Sequence, residues 1–397
     1  MTRAGTTIAL SLSVALTLVA CTGTEPQPVP TPTVTVTPSG DGVLRVGTAF
    51  SLGGSAKASG AAQVAGVELA IRDINLAGGV NGAPVEVFHR DGSDPAAFAA
   101  LVEKGVDVVI GGSSVARVEE LAPLATDAGI PLLSAAAPFA APTPFTFSLA
   151  SAPTSVATGL AESIAATGAT RVTLVRAEAA EYELLETQLV EAMDVAGLTL
   201  ATTTPLTAQA GPTAAEVATS TPDVVVVAAP RKAAVAAVLV DLVAAGYGAD
   251  TLWFAGSSVG EWKKPLPSGA LDGAGGVTLG SPTDAAFVVA LEQTDPGLTS
   301  TTFAAEAYDA TVLAALAAEF AGDDGGPSIA HQLRAASAEG IPCASFAECL
   351  DVLTTEPDVD YVGRSGAVDI GEDGNGGGVR FRLWEFSSAN KPTLVGK

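Results

Sequence analysis

Short runs of β-branched and other apolar residues alternate with longer segments of helical periodicity from residue 43 onward. Strands that are apolar throughout are typical of parallel sheets that carry helices on both faces. The pattern therefore predicts an α/β fold with mainly parallel sheets. The predicted strands are Leu44–Phe50, Val85–Arg90, Val106–Ile110, Pro131–Ser134, Arg171–Val175, Asp223–Ala228 and Thr251–Ala255, and the predicted helices are Gln63–Ala77, Val115–Ala128, Glu181–Ala196, Lys232–Ala245 and Phe303–Phe320.

Two breaks interrupt this alternation. One is the stretch PTPFTFSLASAPTS at 142–155, after which the pattern restarts, and the other is GAGGVTLGSP at 273–282. The breaks predict two doubly wound lobes with chain crossings between them. The tetrapeptide GSSV occurs at 112–115 and again at 256–259, each time directly after a predicted strand. In doubly wound sheets such positions lie at the carboxyl ends of strands, where ligands bind.

The first 42 residues carry a different signal. An apolar stretch, Thr6–Val19, follows Arg3 and ends at Leu-Val-Ala-Cys, with Cys21 as its last residue. Its length suits a signal peptide rather than a membrane span. The small residue before Cys21 resembles the lipobox of bacterial lipoproteins, which implies lipidation of Cys21; ordinary signal cleavage beside an incidental cysteine is the alternative. Residues 22–42 contain five prolines, and such a Pro-rich tether reaches up to ~60 Å.

Charge and cysteine content narrow the class of protein. The chain has 19 Lys and Arg against 43 Asp and Glu, a net charge of −24. Nucleic acids and anionic lipid surfaces would repel such a chain, so nucleic-acid binding is not expected. Besides Cys21, only Cys343 and Cys349 are present, too few for a zinc site without nearby histidines. They predict a disulfide formed in an oxidising compartment, with two free buried thiols as the alternative.

The two GSSV copies are the candidate chemical sites. Ser113 and Ser114 follow a strand and begin a helix, so their hydroxyls and the first-turn N–H groups form a cradle for a carboxylate, unless they only cap the helix. Ser258 lies in G-x-S-x-G, the nucleophile elbow of α/β-hydrolases. Prolines follow it closely, however, and the two histidines, His89 and His331, are poorly placed in the sequence to serve as its base. No metal or cofactor motif is complete.

Several segments in a fixed order resemble the type I periplasmic binding proteins, in particular the branched-chain amino-acid (Leu/Ile/Val) binding proteins of ABC importers. The resemblance begins with GTAFSLGGSAKASGAAQVAGVELAIRDINLAGGVNGAPVEVFHRDGSDP (47–95) and continues with VDVVIGGSSVARVEELAPLATDAGIPLLSAA (106–136). EAYDATVLAALA (306–317) and YVGRSGAVDI (361–370) complete it. It covers nearly all of residues 43–390. It implies a ligand cleft between two α/β lobes that three crossings join in a hinge.

The resemblance also implies roles for individual residues. Ser113 and Ser114 match the loop that holds the carboxylate of the ligand, and Tyr182 matches an aromatic residue that closes over the ligand. Ser257 falls near an acid that pairs with the amino group in Leu/Ile/Val binders, and Ser258 is expected beside it among the ligand-binding residues of the same cleft. Because Ser257 carries no charge, a small carboxylate, amide or neutral polar solute fits as well as an amino acid. The adjacent strand end, which completes the carboxylate grip, is formed by Ser134, Ala135 and Ala136.

Together these inferences give one hypothesis. The chain is expected to be the monomeric, cofactor-free and non-enzymatic solute-binding lipoprotein of an ABC importer, anchored on the outer face of the cell membrane and working with a permease. A ligand-sensing module on the same fold is the first alternative, and a secreted serine esterase using Ser258 is the second. The expected organisation is a signal peptide (1–20), a tether (21–42), lobe 1 (43–148 and 282–355) and lobe 2 (149–281 and 356–397).

Overall fold

The structure is a computed structural model that describes residues 36–141, 143–206, 210–231, 233–262 and 266–395. The predicted signal peptide, Cys21 and most of the predicted tether lie outside the described residues. Within the described part of the chain, no helix combines the length and the apolar character needed to cross a membrane.

Strands and helices alternate along most of the described chain, as the sequence predicts. The strands are β1 (Arg45–Phe50), β2 (Glu86–Asp91), β3 (Val108–Gly111), β4 (Leu132–Ser134), β5 (Thr146–Ser148), β6 (Arg171–Arg176), β7 (Thr199–Pro205), β8 (Val224–Ala228), β9 (Leu252–Ala255), β10 (Gly275–Leu279), β11 (Ile341–Cys343), β12 (Val359–Gly363), β13 (Gly366–Ala367), β14 (Phe381–Phe386) and β15 (Pro392–Leu394). The helices are α1 (Lys57–Leu76), α2 (Ala97–Val102), α3 (Val115–Ala128), α4 (Ser155–Ala166), α5 (Ala180–Ala196), α6 (Ala210–Ser220), α7 (Ala233–Ala244), α8 (Ala285–Thr294), α9 (Ala304–Ala321), α10 (Gly326–Gln332) and α11 (Phe346–Leu353).

The first lobe is built on a five-stranded parallel sheet in the order β2-β1-β3-β4-β5. Helix α9 is buried on all sides in its core and packs against α1. The two helices approach closely at Gly66, where an added Cβ would lie 2.2 Å from the carbonyl oxygen of Ala304. Only glycine therefore allows this contact, which joins the early and late parts of the chain in one lobe.

The second lobe is built on a seven-stranded sheet in the order β7-β6-β8-β9-β10-β14-β15. Strands β6 to β10 pair in parallel, and β14 and β15 add antiparallel strands at one edge. Helices α4 to α7 cover this sheet. The predicted α/β fold of two doubly wound lobes is confirmed.

A small third sheet, β11-β12-β13, belongs with the first lobe. Cys343 and Cys349 form a disulfide beside it, with their Cα atoms 5.2 Å apart. Val359, Tyr361 and Ile370 lie in the same apolar core as β1 and α9. The packing thus differs from the lobe boundary expected at residue 355, because these apolar side chains fill the core of the first lobe before the chain returns to the second.

In the described part of the chain, three crossings join the lobes: 149–154, 280–284 and 371–380. The first and third run side by side, since the Gly376 N–H donates to the Ser148 carbonyl (2.7 Å) and the Ala152 N–H to the Gly378 carbonyl (2.9 Å). The buried Arg380 guanidinium donates to the Leu149 carbonyl at 3.4 Å and to the Ser365 hydroxyl at 2.9 Å. These bonds hold the first and third crossings together.

The chain enters the first lobe through a pair of aspartates. The N–H groups of Ser39 and Gly40 donate to the Asp323 carboxylate, and those of Asp41 and Gly42 donate to the Asp324 carboxylate, at 2.9 to 3.2 Å. A carboxylate that accepts backbone N–H groups makes charge-assisted hydrogen bonds, which are stronger than neutral ones. The segment 39–42 is therefore fixed to the first lobe.

Asp107 lies beside this entry point and should make stability depend on pH. Burial, followed by the charges of Asp324 and Asp41, raises its pKa from 3.8 to about 7, although its carboxylate accepts the Arg45 N–H at 2.8 Å. A raised folded-state pKa means that its contribution is complete below pH ~4 and is lost as the pH rises through ~7. After solvent screening, we expect a loss of about 1–2 kcal/mol.

Asp107→Asn should therefore be more stable than the wild type at pH 8 and should gain little or nothing at pH 4. Urea unfolding at both pH values measures this difference, with Asp127→Asn, an exposed change on α3, as the control. Parallel pH profiles for Asp107→Asn and the wild type would show that folding does not raise the pKa of Asp107.

Candidate functional site

The carboxyl edge of the first sheet brings Ser51 and Ser113 together. The strand order reverses between β1 and β3, and such a reversal opens a crevice at the carboxyl ends of the strands. The Ser51 N–H, just after β1, donates to the Ser113 hydroxyl, just after β3, at 3.1 Å. Gly112 makes this turn with a φ of 80°, and an added Cβ would lie 2.3 Å from Val118 Cγ1. The local geometry therefore requires glycine.

Ser114 caps α3, which is the alternative to a ligand-binding role that the sequence left open. Its backbone is extended and its hydroxyl oxygen accepts the Arg117 N–H at 3.3 Å. Its side chain is nevertheless exposed, and Ser113 is half-buried. The N–H groups of Val115 and Ala116 precede the first intrahelical hydrogen bond of α3, so they are donors directed out of its first turn. The helix start offers N–H donors and two serine oxygens at one edge of the lobe.

Ser134 supports this edge from below. Its fully buried hydroxyl donates to the Gly112 carbonyl at 3.2 Å and accepts the Ala137 N–H at 3.1 Å. Ala135 is also fully buried, whereas Ala136 is half-buried. The Ser134 hydroxyl thus ties the loop after β4 to the loop after β3, and Ala136 is the residue of the three that the loop exposes most.

Tyr182 and Ser257 meet at the carboxyl edge of the second sheet. The Tyr182 phenol lies 3.0 Å from the Ser257 hydroxyl, although 75 residues separate them in the sequence. Tyr182 lies in the first turn of α5, the helix that follows β6, and Ser257 lies in the short helical turn after β9. Burial raises the pKa of Tyr182, and the adjacent Glu181 carboxylate raises it further, while the hydrogen bond to Ser257 lowers it. Ser257 is exposed, so the pair presents a hydroxyl at the lobe edge.

Ser258 does not lie at the surface, where a nucleophile or a ligand-binding residue would be expected. Its side chain is fully buried, and its hydroxyl lies 2.7 Å from the Val227 carbonyl and 2.8 Å from the Ala255 carbonyl. The hydroxyl therefore anchors the turn after β9 to β8 and is not presented to solvent. The GSSV repeat places only the first of its two serines at the surface in this lobe.

Neither histidine serves Ser258 as a base. His89 lies in the first lobe, where its ring nitrogens are 2.7 Å from the Thr48 hydroxyl and 2.7 Å from the Glu68 carboxylate. His331 lies on α10, in the part of the chain that packs with the first lobe. Across the described residues, no cluster of three or more His, Cys, Asp or Glu is positioned to hold a metal ion.

Two charged residues at the second edge were not identified from the sequence. Glu181 lies beside Tyr182, and its carboxylate raises the pKa of the phenol. Arg231 follows β8 and is exposed. Its guanidinium lies against Gly260, where an added Cβ would be 2.3 Å from Nη1. The sequence shows only that Arg231 follows a buried strand. Its position beside Gly260 depends on the pairing of β8 with β9, which the sequence does not reveal.

The comparisons agree with this architecture. The sequence model of the family described as "Periplasmic binding protein" matches residues 43–349. No curated protein matches the chain. Among solved structures, a branched-chain amino acid transporter substrate binding protein from Streptococcus pneumoniae, in complex with isoleucine, is 19% identical, with a TM-score of 0.62 over 89% of this chain and 99% of that one.

Two other solved structures are similar. A branched chain amino acid ABC transporter periplasmic ligand-binding protein from Burkholderia xenovorans is 16% identical, with a TM-score of 0.67 over 89% of this chain and 94% of that one. A solute binding protein of an ABC transporter from R. palustris, in complex with 4-hydroxybenzoate, is 20% identical, with a TM-score of 0.60 over 89% and 95% of the two chains. With the family match covering most of the sequence, the chain belongs to the periplasmic binding protein family, with the two-lobed type I fold.

Proposed function

We propose that this chain is the extracytoplasmic solute-binding component of an ABC importer, which holds a small polar or amino-acid-like ligand between its two lobes. The observation that carries the proposal is the Ser51–Ser113 hydrogen bond across the strand-order reversal of the first sheet. That crevice is where open α/β sheets bind ligands. Family membership makes transport the natural use of such a site.

The first lobe provides the grip for a negative group. The Ser113 and Ser114 oxygens lie at the start of α3, where the helix dipole and the first-turn N–H groups favour an anion. Ala136 lies on the neighbouring loop, which Ser134 holds in place. A ligand carboxylate is therefore proposed to dock here before the lobes close.

The second lobe provides the contacts that complete the ligand shell on closure. Tyr182 and Ser257 present hydroxyls, and Glu181 beside them carries a negative charge suited to a ligand amino group. Arg231 offers the opposite charge on the same edge. An amino-acid-like ligand uses the Glu181 side, and a solute with a second acidic group uses Arg231. Hinge closure then follows from the higher affinity of the closed form for the ligand.

The location belongs to the same proposal. Lipidation of Cys21 would hold the protein on the outer face of the membrane, next to the permease that receives the ligand. Metabolic labelling of cells with a radioactive fatty acid tests the anchor independently of ligand binding. The label incorporated into the wild type is compared with that incorporated into Cys21→Ser. Loss of the label in Cys21→Ser supports it.

The ligand class is tested by thermal unfolding against a library of amino acids and aromatic acids. Isoleucine and 4-hydroxybenzoate, which the solved relatives contain, serve as the first two probes. A ligand at ~100 times its dissociation constant stabilises the folded protein by ~2.7 kcal/mol. Comparison of hits on Glu181→Gln and Arg231→Gln then shows which charge the ligand uses.

The double variant Ser113→Ala/Ser114→Ala is expected to weaken the binding of any hit with a carboxylate by at least ~10-fold, because hydrogen bonds to a charged group contribute about 1.5–3 kcal/mol each. Calorimetric titration measures the affinity. The loss of the α3 cap costs about 1 kcal/mol of stability in itself. Ser345→Ala is the matched control, since Ser345 caps α11 in the same way by accepting the Glu348 N–H at 3.2 Å. Full affinity in the double variant would show that Ser113 and Ser114 do not bind the carboxylate of the ligand.

A further inference from the structure

A cavity of about 400 Å³ lies between the two lobes on the side of β14 and β15. Its first-lobe wall is α8 and the loop 298–301, and its second-lobe wall is formed by β14, β15 and the loop between them. It shares no lining residue with the carboxyl-edge site of Ser113, Tyr182 and Ser257. Its chemistry is therefore separate from that of the proposed ligand cleft.

Arg382 forms the floor of this cavity and is only 2% exposed. Its guanidinium donates to the hydroxyls of Thr301 at 2.6 Å and Thr302 at 3.1 Å, both of them neutral acceptors. Its Nε has no hydrogen-bond partner, and its centre lies 5.3 Å from the centroid of the Trp384 ring. Within the described ranges, no carboxylate oxygen lies within 4.0 Å of Arg382. A guanidinium remains charged in proteins, so the floor of the cavity is cationic.

The charge of Arg382 is only partly compensated from within the protein. The Glu306 carboxylate attracts the Arg382 guanidinium electrostatically. Its charge is shared, however, because it also attracts the buried Arg380 and accepts the Ser281 N–H at 2.7 Å. Burial lowers the pKa of Arg382. A buried charge without a close counter-ion costs free energy, and an anion in the cavity would reduce that cost.

The walls provide the remaining contacts for an organic anion. Lys391 lies exposed at the rim, and Thr299, Ser300 and Thr393 add hydroxyl groups. Trp384 and Leu298 add apolar surface. The exposed Glu292 also lines the rim, and its charge disfavours a ligand with a second negative group.

We propose that this cavity binds a small organic monocarboxylate, with its charged end over Arg382 and Ser300 and its apolar body against Trp384. The site is independent of the cleft proposed for the transported solute. Because its walls come from both lobes, its occupant contacts both sides of the hinge.

Indole N–H resonances test the proposal on the whole protein. The chain has three tryptophans, and Trp384→Phe identifies the signal of Trp384 by its disappearance. The probe is phenylacetate, and its uncharged analogue phenylacetamide is the control for shape. We expect phenylacetate to shift the Trp384 signal saturably, and phenylacetamide to bind at least ~10-fold more weakly, as loss of an ionic contact implies.

Three variants assign the shift to the cavity. Lys391→Glu should weaken binding about 5-fold or more by reversing a rim charge, while Lys104→Glu, an equal charge change elsewhere on the surface, should leave it unchanged. Thr299→Trp should fill the cavity and abolish the shift, and Ser113→Ala/Ser114→Ala should preserve it. The absence of a saturable shift, equal binding of the amide, or insensitivity to Lys391→Glu and Thr299→Trp would each overturn the proposal.

Discussion

One added methyl group at Gly377 is expected to destabilise the folded protein by about 3 kcal/mol or more, because it overpacks a rigid backbone contact. A Cβ on Gly377 would lie 1.4 Å from the carbonyl oxygen of Ala150, which belongs to another crossing of the hinge. The crossings cannot simply move apart, since the hydrogen bonds from Gly376 to Ser148 and from Ala152 to Gly378 hold them on either side. Urea unfolding of Gly377→Ala measures the loss.

The neighbouring residue offers a matched control. An added Cβ on Gly378 would have no atom within 4 Å. Gly378→Ala should therefore keep its stability or gain up to about 1 kcal/mol through a less flexible unfolded chain. If Gly377→Ala and Gly378→Ala unfold at the same urea concentration, the crossings are not packed as described.

Removal of the Asp309 carboxylate is expected to cost about 3–5 kcal/mol, since it leaves several buried donors without an acceptor. Asp309 is fully buried and accepts the Tyr361 hydroxyl at 2.8 Å and the N–H groups of Arg364 at 2.8 Å and Ser365 at 2.6 Å. Burial raises its pKa, and these hydrogen bonds oppose that shift. Ser365 in turn contacts Arg380 and Ser281, so Asp309 positions the loop that holds two crossings.

Asp309→Ala should unfold at a much lower urea concentration than the wild type, whereas Asp127→Ala, at an exposed position on α3, should not differ from it. Asp309→Asn should fall between them, because one oxygen can still accept two of the hydrogen bonds while the amide NH₂ opposes the third. A loss below about 1 kcal/mol in Asp309→Ala would mean that water or a neighbouring group replaces the carboxylate.

Local patterns were sufficient for most of the elements. The apolar runs at β1, β3 and β8 and the periodicity of α3 predicted their existence and their ends to within two residues. β5 and β10 were missed because they lie in Pro- and Gly-rich stretches and gain their stability from neighbouring strands. The lobe to which residues 356–370 belong depends on the burial of Val359 and Tyr361, and no local pattern carries that information.

The candidate site was predictable in part. The strand–turn–helix pattern placed Ser113 and Ser114 at a sheet edge, and the resemblance to a family connected Tyr182 with Ser257. The 3.0 Å contact between the latter two agrees with their placement on one edge, while their contact with a ligand stays a prediction. The burial of Ser258 follows from the direction of its hydroxyl in a tight turn, and the positions of Glu181 and Arg231 follow from strand order. Both need the assembled sheet.

The clamp of segment 39–42 by Asp323 and Asp324 has a mechanical consequence. Any pull transmitted from the preceding residues is delivered to the first lobe alone, at a point fixed by two carboxylates. With the lipid anchor proposed at Cys21, the second lobe could therefore move toward the first during the proposed closure without stretching the segment that precedes residue 39.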